Sequence, residues 1–160
     1  MGFPFTLPTT YDELEKLFGK FYWHDVDNDP GAAIIVDPRW TRSHIIAVKL
    51  SILPHPIYCH QLVAGNFAAA LTAASAAAPG YAITSACSYV PRHKLHRRDK
   101  PLSMHSWGIA VDLNPRTNAY GAPGDMPPEF VAAFEAAGWK WGGRWKHPDP
   151  MHFQAAAGVL

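Results

Sequence analysis

The chain has 160 residues, 48% of them hydrophobic and 17% charged, with a formal net charge of +1. That size and balance suit one globular domain with a real core and exclude a disordered chain. Charge so near zero gives no general electrostatic basis for binding nucleic acid or an anionic membrane surface, and no apolar run is long enough to span a bilayer.

Fifteen prolines and twelve glycines predict many turns and short elements. The opening MGFPFTLPTTYDELEK has no basic stretch followed by an apolar one, so no signal peptide is expected. Thr9 or Thr10 can cap a short helix running through Phe18, with Asp12, Glu13 and Glu15 near its positive end. Next, Asp25, Asp27 and Asp29 imitate the start of a calcium loop. Pro30 stands where that loop needs glycine and Val36 where it needs a bidentate glutamate. A turn before the apolar run Ala32 to Val36 is the better reading.

His44 to Leu50 reads as a strand, and LPHP then breaks the chain. From Ile57 to Ala78, Cys59, Val63, Phe67 and Leu71 recur every four residues, which predicts a helix. Pro79 and Gly80 end it, and YAITSAC returns as a strand. Cys59 and Cys87 lack metal-ligand spacing and form no disulfide framework; two buried thiols are expected, with a single bridge left open. A long polar connection leads to Ser103. Pro127 and Pro128 suit the first turn of a helix over EFVAAFEAAG, with Gly138 as its C-cap. The chain ends in WKWGGRWKHPDPMHFQ and a small apolar tail. Helix and strand mix without regular alternation, so the expected class is α+β.

SMHSWGIAVDLNP, Ser103 to Pro115, poses a chemical question. Ile109, Val111 and Leu113 alternate as a buried strand face, yet the stretch also carries His105 and Asp112. Seven residues apart, these two meet only if the chain turns between them; SWG can supply the turn, with Gly108 relaxing the backbone. Gly108 and Ala110 share a face with Asp112, and their small size leaves room there for a bound group. In HPDPMHF, prolines on both sides hold Asp149 on a stiff, non-helical segment three residues before His152. Met151 and Phe153 alternate with His152 as in a short strand. Two histidines and a carboxylate make a three-ligand zinc site possible, with a second carboxylate as general base. His93, His96 and His147 compete as ligands at this point, and ordinary core or surface histidines are the bland alternative.

SMHSWGIAVD resembles the SxHxxGxAxD signature of the zinc D-alanyl-D-alanine carboxypeptidase and L-alanyl-D-glutamate endopeptidase family, peptidoglycan peptidases that include many phage endolysins. DPMHF resembles the family's second signature, an acidic residue three positions before a histidine. GWKWGGRWKHPDPMHFQ, YVPR and LNPRTN resemble the endolysin-like branch, and the likeness covers roughly Tyr81 to Gln154. Position by position, it makes His105, Asp112 and His152 the ligands of one zinc ion and Asp149 the general base. Aspartate in place of the more common glutamate is frequent in that branch. Arg92 in YVPR best matches the arginine that binds the scissile carbonyl, with Arg97 and Arg98 as neighbours that could take the role. Ser103 would brace the site or contact substrate, and Trp145 would border the cleft, whereas Trp139 and Trp141 belong to the core. Zinc would bring the pKa of a water towards about 7 and so supply a nucleophile at neutral pH.

The resemblance implies one α+β domain over residues 1–160 with a small antiparallel sheet, hedgehog- or D,D-peptidase-like. Helices and strands of residues 1–80 would precede a catalytic core over 81–154. The implied activity is peptidoglycan hydrolysis by an L-alanyl-D-glutamate endopeptidase. The alternatives are a D-alanyl-D-alanine carboxypeptidase or a zinc-bearing wall-binding module without catalysis, and Asp149 argues against the last. The basic run RHKLHRRDK is either a solvated loop or a contact for stem-peptide carboxylates; it lacks the aromatics of a nucleic-acid patch. The expected partner is the peptidoglycan stem peptide, with no nucleic acid, no stable membrane association and a monomeric state. The chain would be made in the cytoplasm and reach the wall by endolysin-like release or with a virion.

Overall fold

Thr10 opens the first helix, α1 (Tyr11–Phe18), by accepting the Glu13 N–H on its hydroxyl, and Leu14 and Phe18 are fully buried on its inner side. The computed structural model describes residues 1–158; the last two residues of the apolar tail lie outside the described residues. Strand β1 (Trp23–Asp25) pairs antiparallel with β2 (Ile34–Val36), the apolar run expected after the aspartates. The turn before β2 is held by Asp29, whose carboxylate accepts the Ala33 N–H at 2.9 Å.

Three expected elements change. The sequence reading has no helix over residues 38–44, yet α2 (Pro38–His44) forms there, started by Pro38 in its first turn and by Asp37 accepting the Arg39 N–H. It takes His44 from the expected strand, leaving β3 as Ile45–Val48. The helix expected from Ile57 begins four residues later. Ile57–His60 is strand β4, antiparallel to β3, and α3 is Gln61–Ala77. Pairing overrides the four-residue period here, because alternation buries Ile57 and Cys59 equally well. His60 makes the junction: Nδ1 accepts the Leu62 N–H, and Nε2–H donates to the Phe18 carbonyl. Finally, YAITSAC is extended but only Ala86–Cys87 forms a strand, β5. The N–H groups of Thr84 and Ser85 donate to the Asn114 side chain instead of to a sheet. Both cysteines are free. Cys59 is buried as expected, but Cys87 is exposed, because it lies on an edge strand.

The main sheet has four antiparallel strands in the order β5–β6–β8–β7, where β6 is Ala110–Leu113, β7 is Lys140–Trp141 and β8 is His152–Gln154. Helix α4 (Pro128–Ala136) starts at Pro128 as expected; Ala137 is its cap residue and Gly138 follows at φ +97°. One sheet face is apolar. Val111 and Phe153 are register partners on it, and Phe153 stacks on Phe134 of α4 with ring centroids 4.4 Å apart. Phe134 in turn meets Phe67 of α3 and the buried Trp139. Each of these buried aromatic rings is worth about 1.5–3 kcal/mol in area removed from water. The opposite face is polar: Cys87, Asp112 and His152 stand side by side across β5, β6 and β8. The result is a small single-domain α+β protein, the class expected, with four α-helices and small antiparallel sheets among the described residues. Among the described residues no helix is long and apolar enough to cross a membrane.

Candidate metal centre

His105 sits in a 3-10 turn, Met104–Trp107, that begins at Ser103 and ends at Gly108. The buried Ser103 hydroxyl accepts the His105 N–H at 3.3 Å, and Gly108 adopts φ +65°. This is the bend that the spacing of His105 and Asp112 required. The space expected above Gly108 is, however, already filled. A Cβ there would lie 2.9 Å from the His60 backbone nitrogen and 3.3 Å from the Cys59 carbonyl carbon. The glycine therefore admits the end of β4 rather than a ligand, and Ala110 beside it is fully buried.

The turn and the sheet bring three donors together: one ligand atom each from His105, Asp112 and His152 lies within 4.8 Å of the others. His105 Nδ1 is 2.7 Å from the Ser88 carbonyl oxygen, which can only accept, so that nitrogen carries the proton. Its Nε2 is the nitrogen turned towards Asp112. It lies 3.1 Å from Asp112 Oδ2 but is buried without a hydrogen bond. His152 Nδ1 is 3.0 Å from Asp112 Oδ1, and its Nε2 is 3.0 Å from the Gln154 amide oxygen. Burial opposes ionisation of Asp112, but the two imidazoles outweigh it and hold the carboxyl well below its ordinary range. Burial likewise opposes charge on His152, and the Asp112 carboxylate raises its pKa in spite of that. Two imidazole nitrogens and a carboxylate, buried, with one ring nitrogen left without a hydrogen bond, fit a divalent ion such as zinc.

Asp149 closes the centre from the β7–β8 connection. Its N–H donates to the Gly142 carbonyl, and its own carbonyl accepts the His152 N–H, so it is tied to both ends of that connection. Oδ1 is buried with no hydrogen-bond partner. Burial raises its pKa, and the Asp112 charge adds to this against His152, His105 and Arg92. A carboxylate shifted upward is suited to taking and returning a proton.

Arg92 is half-buried, with its backbone bonded to Ser103 and Ser106. Its charge favours ionisation of both Asp149 and Cys87. Arg97 and Arg98 are engaged elsewhere. Arg97 pairs with Asp99 at 2.7 Å, while Arg98 donates to the Val26 carbonyl and lies 3.8 Å from Asp25. Much of the basic run's charge is thus matched within its own neighbourhood. Trp145 is 39% exposed, with its ring 5.3 Å from that of His152. The other candidate histidines stand apart from the cluster. His93 is bonded to Asp25 and the Lys100 carbonyl, His96 to the Gly31 carbonyl, and His147 is exposed.

Sequence reasoning missed Ser88 and Gln154, which hold the far nitrogens of the two histidines, and Gly142. A Cβ at Gly142 would fall 2.6 Å from the Asp149 carbonyl oxygen and 3.3 Å from His152 Cβ. The GG pair at 142–143 is the one signal that marked a close backbone approach.

Neither a curated protein nor a solved structure matches the chain. A family model does, that of D-alanyl-D-alanine carboxypeptidase, over residues 96–155. The matched segment contains His105, Asp112, Asp149 and His152; Ser88 and Arg92 precede it. It supports, in general terms, a zinc peptidase that acts on peptidoglycan. The resemblance carried by the two signatures is therefore shown: residues 96–155, with the whole candidate metal centre, match the D-alanyl-D-alanine carboxypeptidase family.

Proposed function

We propose that this chain is a zinc metallopeptidase that cuts a peptide bond in bacterial peptidoglycan, as an L-alanyl-D-glutamate endopeptidase with an endolysin-like role. The observation that carries the reading is the convergence of His105, Asp112 and His152, with an unmatched ring nitrogen on His105 and, on the β7–β8 connection, the half-buried Asp149 whose Oδ1 is likewise unmatched. His105, Asp112 and His152 would hold the ion. Zinc bound there supplies a Lewis acid that polarises a water and the scissile carbonyl. Asp149 takes a proton from the attacking water as its oxygen adds to the carbonyl carbon. It returns a proton to the leaving nitrogen as the C–N bond breaks. Arg92 donates to the carbonyl oxygen as negative charge grows there, a task for a permanent charge with fixed fork geometry. Trp145 borders the cleft, and Ser103 braces the His105 turn.

In this reading residues 81–154 form the catalytic core and residues 1–80 its support, within one hedgehog- or D,D-peptidase-like domain that works as a monomer on wall stem peptides. The family match itself favours a second reading, removal of terminal D-alanine by a D-alanyl-D-alanine carboxypeptidase. Digestion of purified sacculi separates the two: new L-alanine carboxyl ends support the endopeptidase, and released D-alanine supports the carboxypeptidase. Either product should vanish with chelator. Sacculi left unchanged by the zinc-loaded chain would refute both.

A further inference from the structure

Gln154 carries no reacting group, yet it is buried directly behind His152 on the same strand and the same sheet face. Opposite it on β6 stands Ala110, whose short side chain leaves Gln154 free to fold towards His152. Two contacts fix the amide. Its nitrogen donates to the Ala156 carbonyl at 3.2 Å, and its oxygen is 3.0 Å from His152 Nε2. The Ala156 carbonyl can only accept, so the amide NH₂ must face it and the amide oxygen must face His152. That oxygen can also only accept, so His152 Nε2 must carry a proton. Orientation thus passes from a backbone carbonyl, through one amide, to the tautomer of a ring.

We propose that Gln154 is a positioning residue whose amide oxygen accepts the Nε2–H of His152 and so presents Nδ1, beside Asp112, as the metal-binding nitrogen. The inference rests on the metal-centre reading above and adds a residue to it. The two histidines then face the ion with different nitrogens. His105 offers Nε2 because the Ser88 carbonyl holds its Nδ1–H; His152 offers Nδ1 because Gln154 holds its Nε2–H. A side chain without an acceptor at position 154 would leave Nε2–H buried and unpaired. It would also free the ring to adopt the other tautomer, in which Nδ1–H points at Asp112 Oδ1 and is lost as a ligand. Outer partners of this kind are worth about 10–100-fold in metal affinity.

The test measures zinc affinity of the full chain by competition with a chelator, for the unaltered protein, Gln154→Leu and Gln154→Glu. Leucine should bind zinc about 10–100-fold more weakly. Glutamate keeps an acceptor in the same place and should recover most of the affinity that leucine loses. A merely structural role would not distinguish the two in this direction, since glutamate is the harder residue to bury. Zinc binding by Gln154→Leu equal to that of the unaltered chain, or Gln154→Glu as weak as leucine, would overturn the proposal. A ¹⁵N imidazole spectrum of the unaltered zinc-loaded protein tests it without any variant. His152 should show a protonated Nε2 and a metal-bound Nδ1, and the reverse pattern overturns it. If the unaltered chain bound no zinc, or if His105→Ala bound it equally well, the metal-centre reading would fail. Intact binding that depends on His105 but not on residue 154 would remove Gln154 alone.

Discussion

Gly142 and Asp149 approach so closely that a Cβ on the glycine would meet the Asp149 carbonyl oxygen at 2.6 Å and Asp149 Cβ at 3.1 Å. The contact is to backbone, so it cannot be relieved by a rotamer change. Gly142→Ala should therefore displace the Asp149 segment while the sheet behind it stays folded. A shift of about 1 Å near a reacting group can cost on the order of 100-fold in rate. Steady-state hydrolysis of sacculi should fall at least about tenfold, with circular dichroism unchanged. Full activity in this variant would mean that the fit between the two segments is not needed.

Asp149→Ala should keep its zinc and lose hydrolysis, because in the proposed mechanism the carboxylate takes protons and does not hold the ion. Elemental analysis and sacculus digestion on the same sample check both halves. General acid–base groups contribute about 100- to 10,000-fold, which sets the size of the loss. Activity equal to that of the unaltered chain would remove Asp149 from the mechanism.

His105→Ala should lose metal affinity and stability together, since a ligand set assembled only in the folded chain links ion binding to folding. The loss of affinity should exceed the about 10–100-fold expected of an outer partner. With chelator added, the unaltered chain should melt at a lower temperature, and the chelator effect should be absent in the variant. Stoichiometric zinc in His105→Ala would refute the ligand assignment.

His60 predicts a pH dependence away from the metal centre. Burial pushes its pKa down to about 4 from 6.5, with the Phe18 carbonyl bond opposing and the His44 charge assisting. The unfolded chain takes up a proton as pH falls through 6.5, whereas the folded chain resists until about 4. The folded protein is thus favoured above pH 6.5 and loses that advantage between pH 6.5 and 4. The full loss is about 3 kcal/mol. Urea unfolding of the metal-free chain at pH 7 and pH 4.5 should show most of it. His60→Asn should be less stable at pH 7 and have a flatter dependence over this range. An equal pH slope in the two would show that another group is responsible.

The candidate site was more legible in the sequence than the fold around it. His105 and Asp112 needed a bend, and SWG offered one. The prolines flanking Asp149 marked a stiff segment, and Met151 and Phe153 marked the strand of His152. These are local constraints, written within a few residues. Ile57–His60 was misread because burial at every second and at every fourth residue looks alike over so short a run; the β3 partner decided it from outside. The strand expected over residues 81–87 shrank because a single side chain thirty residues on, Asn114, took its N–H groups. Ser88 and Gln154 were invisible for a related reason. Ser88 acts on His105 through its backbone carbonyl, which every residue has, and Gln154 acts through an amide whose orientation is set by another carbonyl. The space expected over Gly108 is absent because a small residue there admits another backbone, that of Cys59 and His60.

That backbone contact at Gly108 bears on how the two halves of the chain could be exchanged or trimmed. The turn that aims His105 is seated against the main chain of Cys59 and His60, and the His60 N–H donates to the Gly108 carbonyl. The turn that carries His105 is therefore keyed to a segment that contributes no proposed ligand. A graft of residues 96–155 onto a foreign scaffold would carry every proposed ligand but lose the mould that shapes the first of them. Any shortened or chimeric version would have to carry that mould as well, the hairpin of Ile45–Val48 with Ile57–His60.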